Sequence, residues 1–238
     1  MHLICYLSNG YPTIADSIEM AKVYSAAGGT MIEIDFPSHN PYLESEYIAD
    51  RMKKALEACG DYDAYMDGMV KIRKELPETT FILMVYENTV EDIGEGEFIN
   101  FCLQNDYLDI ILVGLKDDKI KDNFIRHGLR VSCYVQFQLD SVEVEQALSS
   151  NGFVYLQAVP KPEQINPLYP TLKDCIRYLR ERGLKSPIYC GVGVHTPEVA
   201  AMAKEAGADG VFIGSSILKL HDDKPALVQK IKEFHEQC

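Results

Sequence analysis

Short apolar runs, closed off by glycine, proline or small polar residues, alternate along this chain with longer stretches whose apolar positions recur at helical spacing. Leu3 to Leu7 reads as a buried strand, with Ser8-Asn9-Gly10-Tyr11-Pro12 as the loop after it. A helix is predicted from about Thr13 to Ala27, its buried face carrying Ile14, Ile18, Ala21 and Tyr24, and Gly28-Gly29 ends it. Met31 to Phe36 is the second strand, closed by Pro37-Ser38-His39-Asn40-Pro41. Two helical stretches follow, Glu44 to Ala58 and about Ala64 to Glu75. Phe81 to Tyr86 is the third strand, with Glu87-Asn88-Thr89 as its cap.

The alternation continues without a break. Helices are predicted over Glu95 to Gln104, Asp117 to His127, Ser141 to Ser149, Leu172 to Arg182 and Pro197 to Ala206, with Lys224 to Glu236 closing the chain. Between them fall strands at Leu108 to Val113, Leu129 to Val135, Gly152 to Gln157, Pro187 to Cys190 and Gly210 to Ile213. Pro160 to Pro170 holds four prolines and no apolar period, so it reads as a long loop. Eight strand–helix alternations with no shift in composition predict an α/β protein, one closed (β/α)8 TIM barrel spanning residues 1–238 as a single domain. A chain of 238 residues fits that size. No G-x-G-x-x-G follows the first strand, which removes the usual dinucleotide site.

Composition narrows the partners. The chain is 47% hydrophobic and 25% charged, enough apolar material for a full core. Its net charge of −13, with no basic cluster, speaks against nucleic acid or anionic membrane. An anionic substrate then needs a local pocket of N–H groups. The seven cysteines are scattered without a CxxC, so reduced thiols and a cytoplasmic setting are expected. The opening Met1 to Leu7 lacks a basic leader, and no apolar run approaches the roughly 20 residues of a membrane span.

Candidate chemistry falls at strand C-terminal ends, where a barrel of this kind carries its active site. Cys190-Gly191-Val192-Gly193 and Ile213-Gly214-Ser215-Ser216 each run from a strand through glycine into a helix start, a pattern suited to a phosphate on backbone N–H groups. Turn glycines without a ligand are the competing reading. Glu33 and Asp35 sit inside an apolar strand and alternate onto one face. A carboxyl buried there has its pKa raised and can exchange protons with a substrate. The alternative is a barrel-interior acid satisfied by a neighbouring strand, a reading that suits Asp35 better than Glu33. His39 reads as a solvated loop residue, and His195 as either a phosphate contact or packing near a helix start. Ser215 and Ser216 lack the elbow of a nucleophilic serine and read as anion contacts or caps. Tyr6, Tyr86 and Tyr155 either line an aromatic pocket or pack the barrel. No residues have metal-ligand spacing, so no metal is assigned.

With these residues laid out, the chain resembles the tryptophan synthase α subunit family over nearly its whole length. The matching pieces are Leu7-Ser8-Asn9-Gly10-Tyr11-Pro12, Ile32-Glu33-Ile34 with Pro37-Ser38-x-x-Pro41, and Leu83-Met84-Val85-Tyr86-x-Asn88. Gly152-Phe153-Val154-Tyr155, Gly191-Val192-Gly193-Val194-x-x-Pro197-Glu198 and Ala208-Asp209-Gly210-Val211-x-Ile213-Gly214-Ser215-Ser216-Ile217 complete the set. The resemblance implies a lyase of tryptophan biosynthesis that cleaves indole-3-glycerol phosphate to indole and glyceraldehyde 3-phosphate, a retro-aldol reaction without cofactor. It implies Glu33 as the acid/base that protonates the indole carbon. Gly193, Gly214 and Ser215 fall on the phosphate-binding backbone, and Tyr6, Tyr86 and Tyr155 on the lining of the indole and glycerol pocket. Glu44 stands where the family carries its second acid, an aspartate. Leu115-Lys116-Asp117 replaces the family's Asp-x-Pro, and Pro160-Lys161-Pro162-Glu163-Gln164 its Gly-x-Thr-Gly lid. A β-like subunit is the partner the resemblance implies. Two further readings fit the residues: another phosphate-binding barrel isomerase or epimerase, and a catalytically silent paralogue that binds a phosphorylated ligand or partner.

Overall fold

A computed structural model of the chain describes residues 1–114 and 116–238; Leu115, in the loop noted above, lies outside them. The chain divides into two compact units, residues 6–131 and residues 1–5 with 132–238.

In the first unit, strands β2 (Met31–Asp35), β3 (Thr80–Tyr86), β4 (Asp109–Val113) and β5 (Arg130–Val131) pair in parallel in that order. The helices between them are α1 (Ile14–Ala27), α2 (Glu46–Ala58), α3 (Tyr62–Glu75), α4 (Glu87–Ile93), α5 (Glu95–Gln104) and α6 (Lys119–Arg126). Strands buried on both faces must be apolar on both, and β3 is buried from Phe81 to Tyr86. Helix α1 starts at Thr13, whose hydroxyl accepts from the Asp16 N–H, and stops at Gly28 with φ +113°. It lies close on α3, where a Cβ at Gly68 would come within 2.4 Å of Ile14 Cγ2. Phe36, just after β2, meets Phe98 and Phe101 of α5 edge-on, and Phe98 stacks on Phe124 of α6.

The second unit is likewise parallel. Strand β1 (His2–Leu7) begins in it and pairs with β9 (Gly210–Ile213). Next in order come β8 (Ile188–Gly191), β7 (Val154–Gln157) and β6 (Cys133–Val135). Its helices are α7 (Ser141–Ser149), α8 (Leu172–Glu181), α9 (Pro197–Ala206), α10 (Ser215–Leu218) and α11 (Lys224–Gln237). Phe153, Tyr155, Tyr189 and Phe212 meet between the strands, with Tyr155 edge-on to Phe212 at 4.5 Å.

Three expectations change. The strand expected over Leu129 to Val135 is broken at Ser132 into β5 and β6, so the described residues form nine strands rather than eight. Glu87-Asn88-Thr89 is not a cap but the start of α4, which buries Glu87, Thr89 and Val90. Helix α2 begins at Glu46 rather than Glu44, because the Ser45 hydroxyl accepts from the Ile48 N–H and caps it.

Candidate active site

The unit of residues 6–131 gathers carboxylates at the end of β2. Glu33 and Asp35 are both buried, Asp35 completely. The two oxygens of Asp35 are held differently: Oδ2 accepts from the Tyr6 hydroxyl at 2.6 Å and Oδ1 from the Asn9 N–H at 2.5 Å. Both oxygens of Asp35 thus have a hydrogen-bond donor within the fold. Glu33 has no hydrogen-bond partner among the described residues. Glu44 lies in the segment before α2, half-buried, and accepts from the Tyr86 hydroxyl at 3.3 Å, while that phenol takes the Leu43 N–H at 3.2 Å.

Burial and mutual repulsion shift every acid in this group the same way. Glu33 rises well above the usual carboxylate range, first through burial, then through the charges of Glu44 and Asp35. Burial also lifts Asp35, to about 7, against the pull of its bonds from Tyr6 and Asn9 and of the Arg51 charge. Glu44 is raised by burial, with the Tyr86 bond opposing. The Tyr6 phenol is pushed up by burial and then by Asp35 and Glu44. Arg51, from α2, is itself buried and lies 3.7 Å from the centre of the Tyr11 ring. A protonated carboxyl held in an apolar strand is a proton donor near neutral pH.

In the other unit, β8 and β9 are parallel neighbours, so the turns after them open at the same end. In the first turn Val192 takes φ +59° and Gly193 φ +93°. The Gly191 carbonyl accepts from Ala158 N–H at 2.7 Å and the Val192 carbonyl from Val159 N–H at 3.2 Å, tying the turn to the chain after β7. A side chain at Gly191 would strike the Tyr155 ring, with a Cβ 2.2 Å from its hydroxyl. A left-handed β-branched residue such as Val192 is strained, and strain of this kind concentrates at ligand sites. In the second turn, Gly214 caps α10, and its carbonyl accepts from Ile217 and Leu218. The N–H groups of Ser215 and Ser216 fall in the first turn of that helix, where no intrahelical partner exists. Ser216 Oγ is buried without a partner. His195 is exposed on this turn, and His39 is exposed in the other unit.

One feature escapes sequence reasoning. Gln157 is buried at the end of β7; its Oε1 accepts from the Phe137 N–H at 3.1 Å and its Nε2 donates to Gln164 Oε1 at 2.9 Å. Gln164 also accepts from the Lys161 N–H at 2.9 Å and donates to Gln136 Oε1 at 3.4 Å. Asn166 donates to the Gln138 carbonyl at 2.9 Å. These side chains hold the proline-rich loop after β7 and give it a 3-10 turn at Pro162–Gln164. Lone glutamines on separate segments carry no spacing signal, so only the fold reveals the ladder. Among the described residues, no group of three His, Cys, Asp or Glu side chains could hold a metal ion, and no helix is long and apolar enough to cross a membrane.

The family model of the tryptophan synthase alpha chain matches residues 1–238. The chain belongs to that family. Its members are lyases of tryptophan biosynthesis that cleave indole-3-glycerol phosphate to indole and glyceraldehyde 3-phosphate. The tryptophan synthase alpha chain of Staphylococcus saprophyticus is 26% identical over 226 residues, covering 91% of this chain and 92% of the relative. A solved structure from Aquifex aeolicus VF5 superposes with a TM-score of 0.86 at 24% identity, over 99% of this chain and 92% of that one. The aminoacrylate-bound tryptophan synthase from M. tuberculosis gives 0.83 at 22% identity, with the same coverage. Likeness at that identity fixes the fold, the (β/α)8 barrel expected from the alternation of strands and helices.

Proposed function

We propose that this chain performs the lyase reaction of its family on indole-3-glycerol phosphate, with Glu33 as the proton donor and Glu44 as the second carboxylate. The observation that carries the reading is Glu33 itself, buried on β2, without a hydrogen-bond partner among the described residues and held toward its protonated form. Such a carboxyl is ready to protonate the indole carbon, after which the carbon–carbon bond breaks and its electron pair returns to the ring. Glu44, fixed by Tyr86, supplies negative charge for the indole N–H as that nitrogen becomes positive. Tyr86 and Tyr155 are assigned to the indole and glycerol pocket together with Tyr6. Gly193, Gly214 and Ser215 are assigned to the phosphate through their N–H groups, with binding energy there spent on positioning. A tryptophan synthase β-like subunit is the partner this reading implies, in the cytoplasm.

The test is indole release from indole-3-glycerol phosphate, by wild type and by Glu33→Gln. The amide keeps the shape and removes the exchangeable acid, so turnover should fall by about 10²-fold or more while ligand still binds. Per-molecule activity equal to wild type with a lowered thermal midpoint would make Glu33 a structural acid. One observation favours a silent, ligand-binding paralogue as the second reading: the glutamine ladder ties down the loop that stands in place of the family's lid. Binding of glyceraldehyde 3-phosphate with no indole formed is the outcome that would select it.

A further inference from the structure

The lyase reaction moves two protons, and the family resemblance names a donor for only one of them. The indole carbon gains a proton, and the hydroxyl beside the breaking bond must lose one. The Tyr6 hydroxyl and Asp35 Oδ2 are 2.6 Å apart and buried, a short phenol–carboxyl contact. The Asn9 N–H holds the other oxygen of Asp35 and so fixes the carboxyl plane toward the phenol. Asp35 is completely buried, so a proton it takes from a ligand has to come through a neighbouring group, and the Tyr6 hydroxyl is the side chain bonded to it. Glu33 lies two residues earlier on the same face of β2, roughly 7 Å along the strand. Just beyond Tyr6 in the chain, Ser8 Oγ and both polar atoms of the Asn9 side chain are buried without partners.

We propose that Tyr6, backed by Asp35, takes the hydroxyl proton during cleavage, so that proton donation and proton removal run on separate groups. This rests on the lyase reading above. Glu33 gives its proton to the indole carbon, using the ring's electrons and leaving the nitrogen positive. The carbon–carbon bond then breaks, and its pair of electrons restores the neutral indole ring. An oxygen lone pair on the former hydroxyl closes the aldehyde carbonyl as that hydroxyl's proton passes to Tyr6 Oη. Tyr6 hands its own phenolic proton to Asp35 and never becomes a free phenolate. Glu33 ends ionised and Asp35 protonated, and exchange of one proton with solvent resets both. Tyr6 is the catalytic residue of this arm, and Asp35 acts through it. The groups that set the charge on Asp35 are Tyr6 from β1, Glu33 on β2, Glu44 from the segment before α2, Arg51 on α2 and Tyr65 on α3. Their balance raises both carboxyls, Asp35 to about 7 and Glu33 well above its usual range, so Asp35 can accept a proton near neutrality.

The experiment is the pH profile of kcat/KM and kcat for indole release by wild type, Tyr6→Phe, Asp35→Asn and Asp35→Glu. In wild type, the rate should rise with pH up to about 7 as Asp35 ionises. Tyr6→Phe and Asp35→Asn should lose that rising limb and drop kcat by about 10²-fold with KM little changed, and Asp35→Glu should restore a limb. A merely structural role would lower the folded fraction and leave the limb in place. Indole release with the limb intact in both variants overturns the relay and leaves the lyase reading standing. No indole from wild type, beside an active alpha chain as control, overturns the lyase reading and this assignment with it.

Discussion

Burying Asp35 has a consequence for stability that can be read without any substrate. A carboxyl whose pKa goes from 3.8 to about 7 on folding binds protons more tightly in the native state than in the unfolded one. Its native-state advantage is complete below the unfolded value and is lost as pH rises through the folded value. At about 1.4 kcal/mol for each tenfold change in proton affinity, the full cost above neutrality is roughly 4 kcal/mol, of which roughly 2.5 kcal/mol falls between about pH 5 and pH 8. Asp35→Asn removes the titration. The amide oxygen still accepts from the Asn9 N–H, and the Tyr6 hydroxyl can turn to accept from the amide nitrogen. Any hydrogen-bond loss in this variant is a constant offset, independent of pH. Urea unfolding followed by circular dichroism at several pH values should therefore show the variant gaining roughly 2.5 kcal/mol on wild type across that window. Relief of repulsion on Glu33 adds to the gain. A stability difference that stays flat with pH would refute the reasoning, because it would mean that Asp35 carries the same proton affinity folded and unfolded.

At the proposed phosphate site, Gly214→Val should abolish calorimetric binding of glyceraldehyde 3-phosphate while far-UV circular dichroism stays native, because a branched side chain fills the space over the turn. Unchanged affinity would remove Gly214 from the site. Gly193→Ala should cost about 1–3 kcal/mol in urea unfolding, since the residue sits at φ +93° and its Cβ would come within 2.6 Å of Val159 Cβ. Adding Val159→Ala should recover part of that loss, and no recovery would place the whole cost in the backbone.

The alternation of elements was legible because its signals are local. Gly28 does end α1 in a left-handed turn, and the apolar run of β3 is buried as its composition demands. Glu33 stood out for an equally local reason, a charge inside an apolar strand. What could not be read depends on which residues meet across the chain. The bond from Tyr6 to Asp35 spans 29 positions and needs the fold to bring the two together. Helix α4 was missed because its seven residues are too few to show a helical period, and its first three look like a strand cap. The break at Ser132 is not legible because one serine, like Arg130 before it, does not by itself end a strand. Tyr155 shows the limit of residue type as evidence: its ring is packed edge-on against Phe212, a contact that the sequence could not separate from a pocket lining.

The closeness of Tyr155 to Gly191 also sets an order on change. With a Cβ at position 191 falling 2.2 Å from the tyrosine hydroxyl, a side chain can enter there only if the ring gives way. Reducing Tyr155 first opens a cavity, at a cost of about 3–5 kcal/mol for a large aromatic cut to alanine, and only then does a residue larger than glycine fit beside it. Substitutions at the two positions are thus expected to be strongly non-additive, with the 191 substitution harmful in one background and tolerated in the other. A lineage or an engineer reshaping this strand end therefore passes through the hollowed intermediate, and a residue larger than glycine at 191 is expected only beside a position 155 that has already lost its ring.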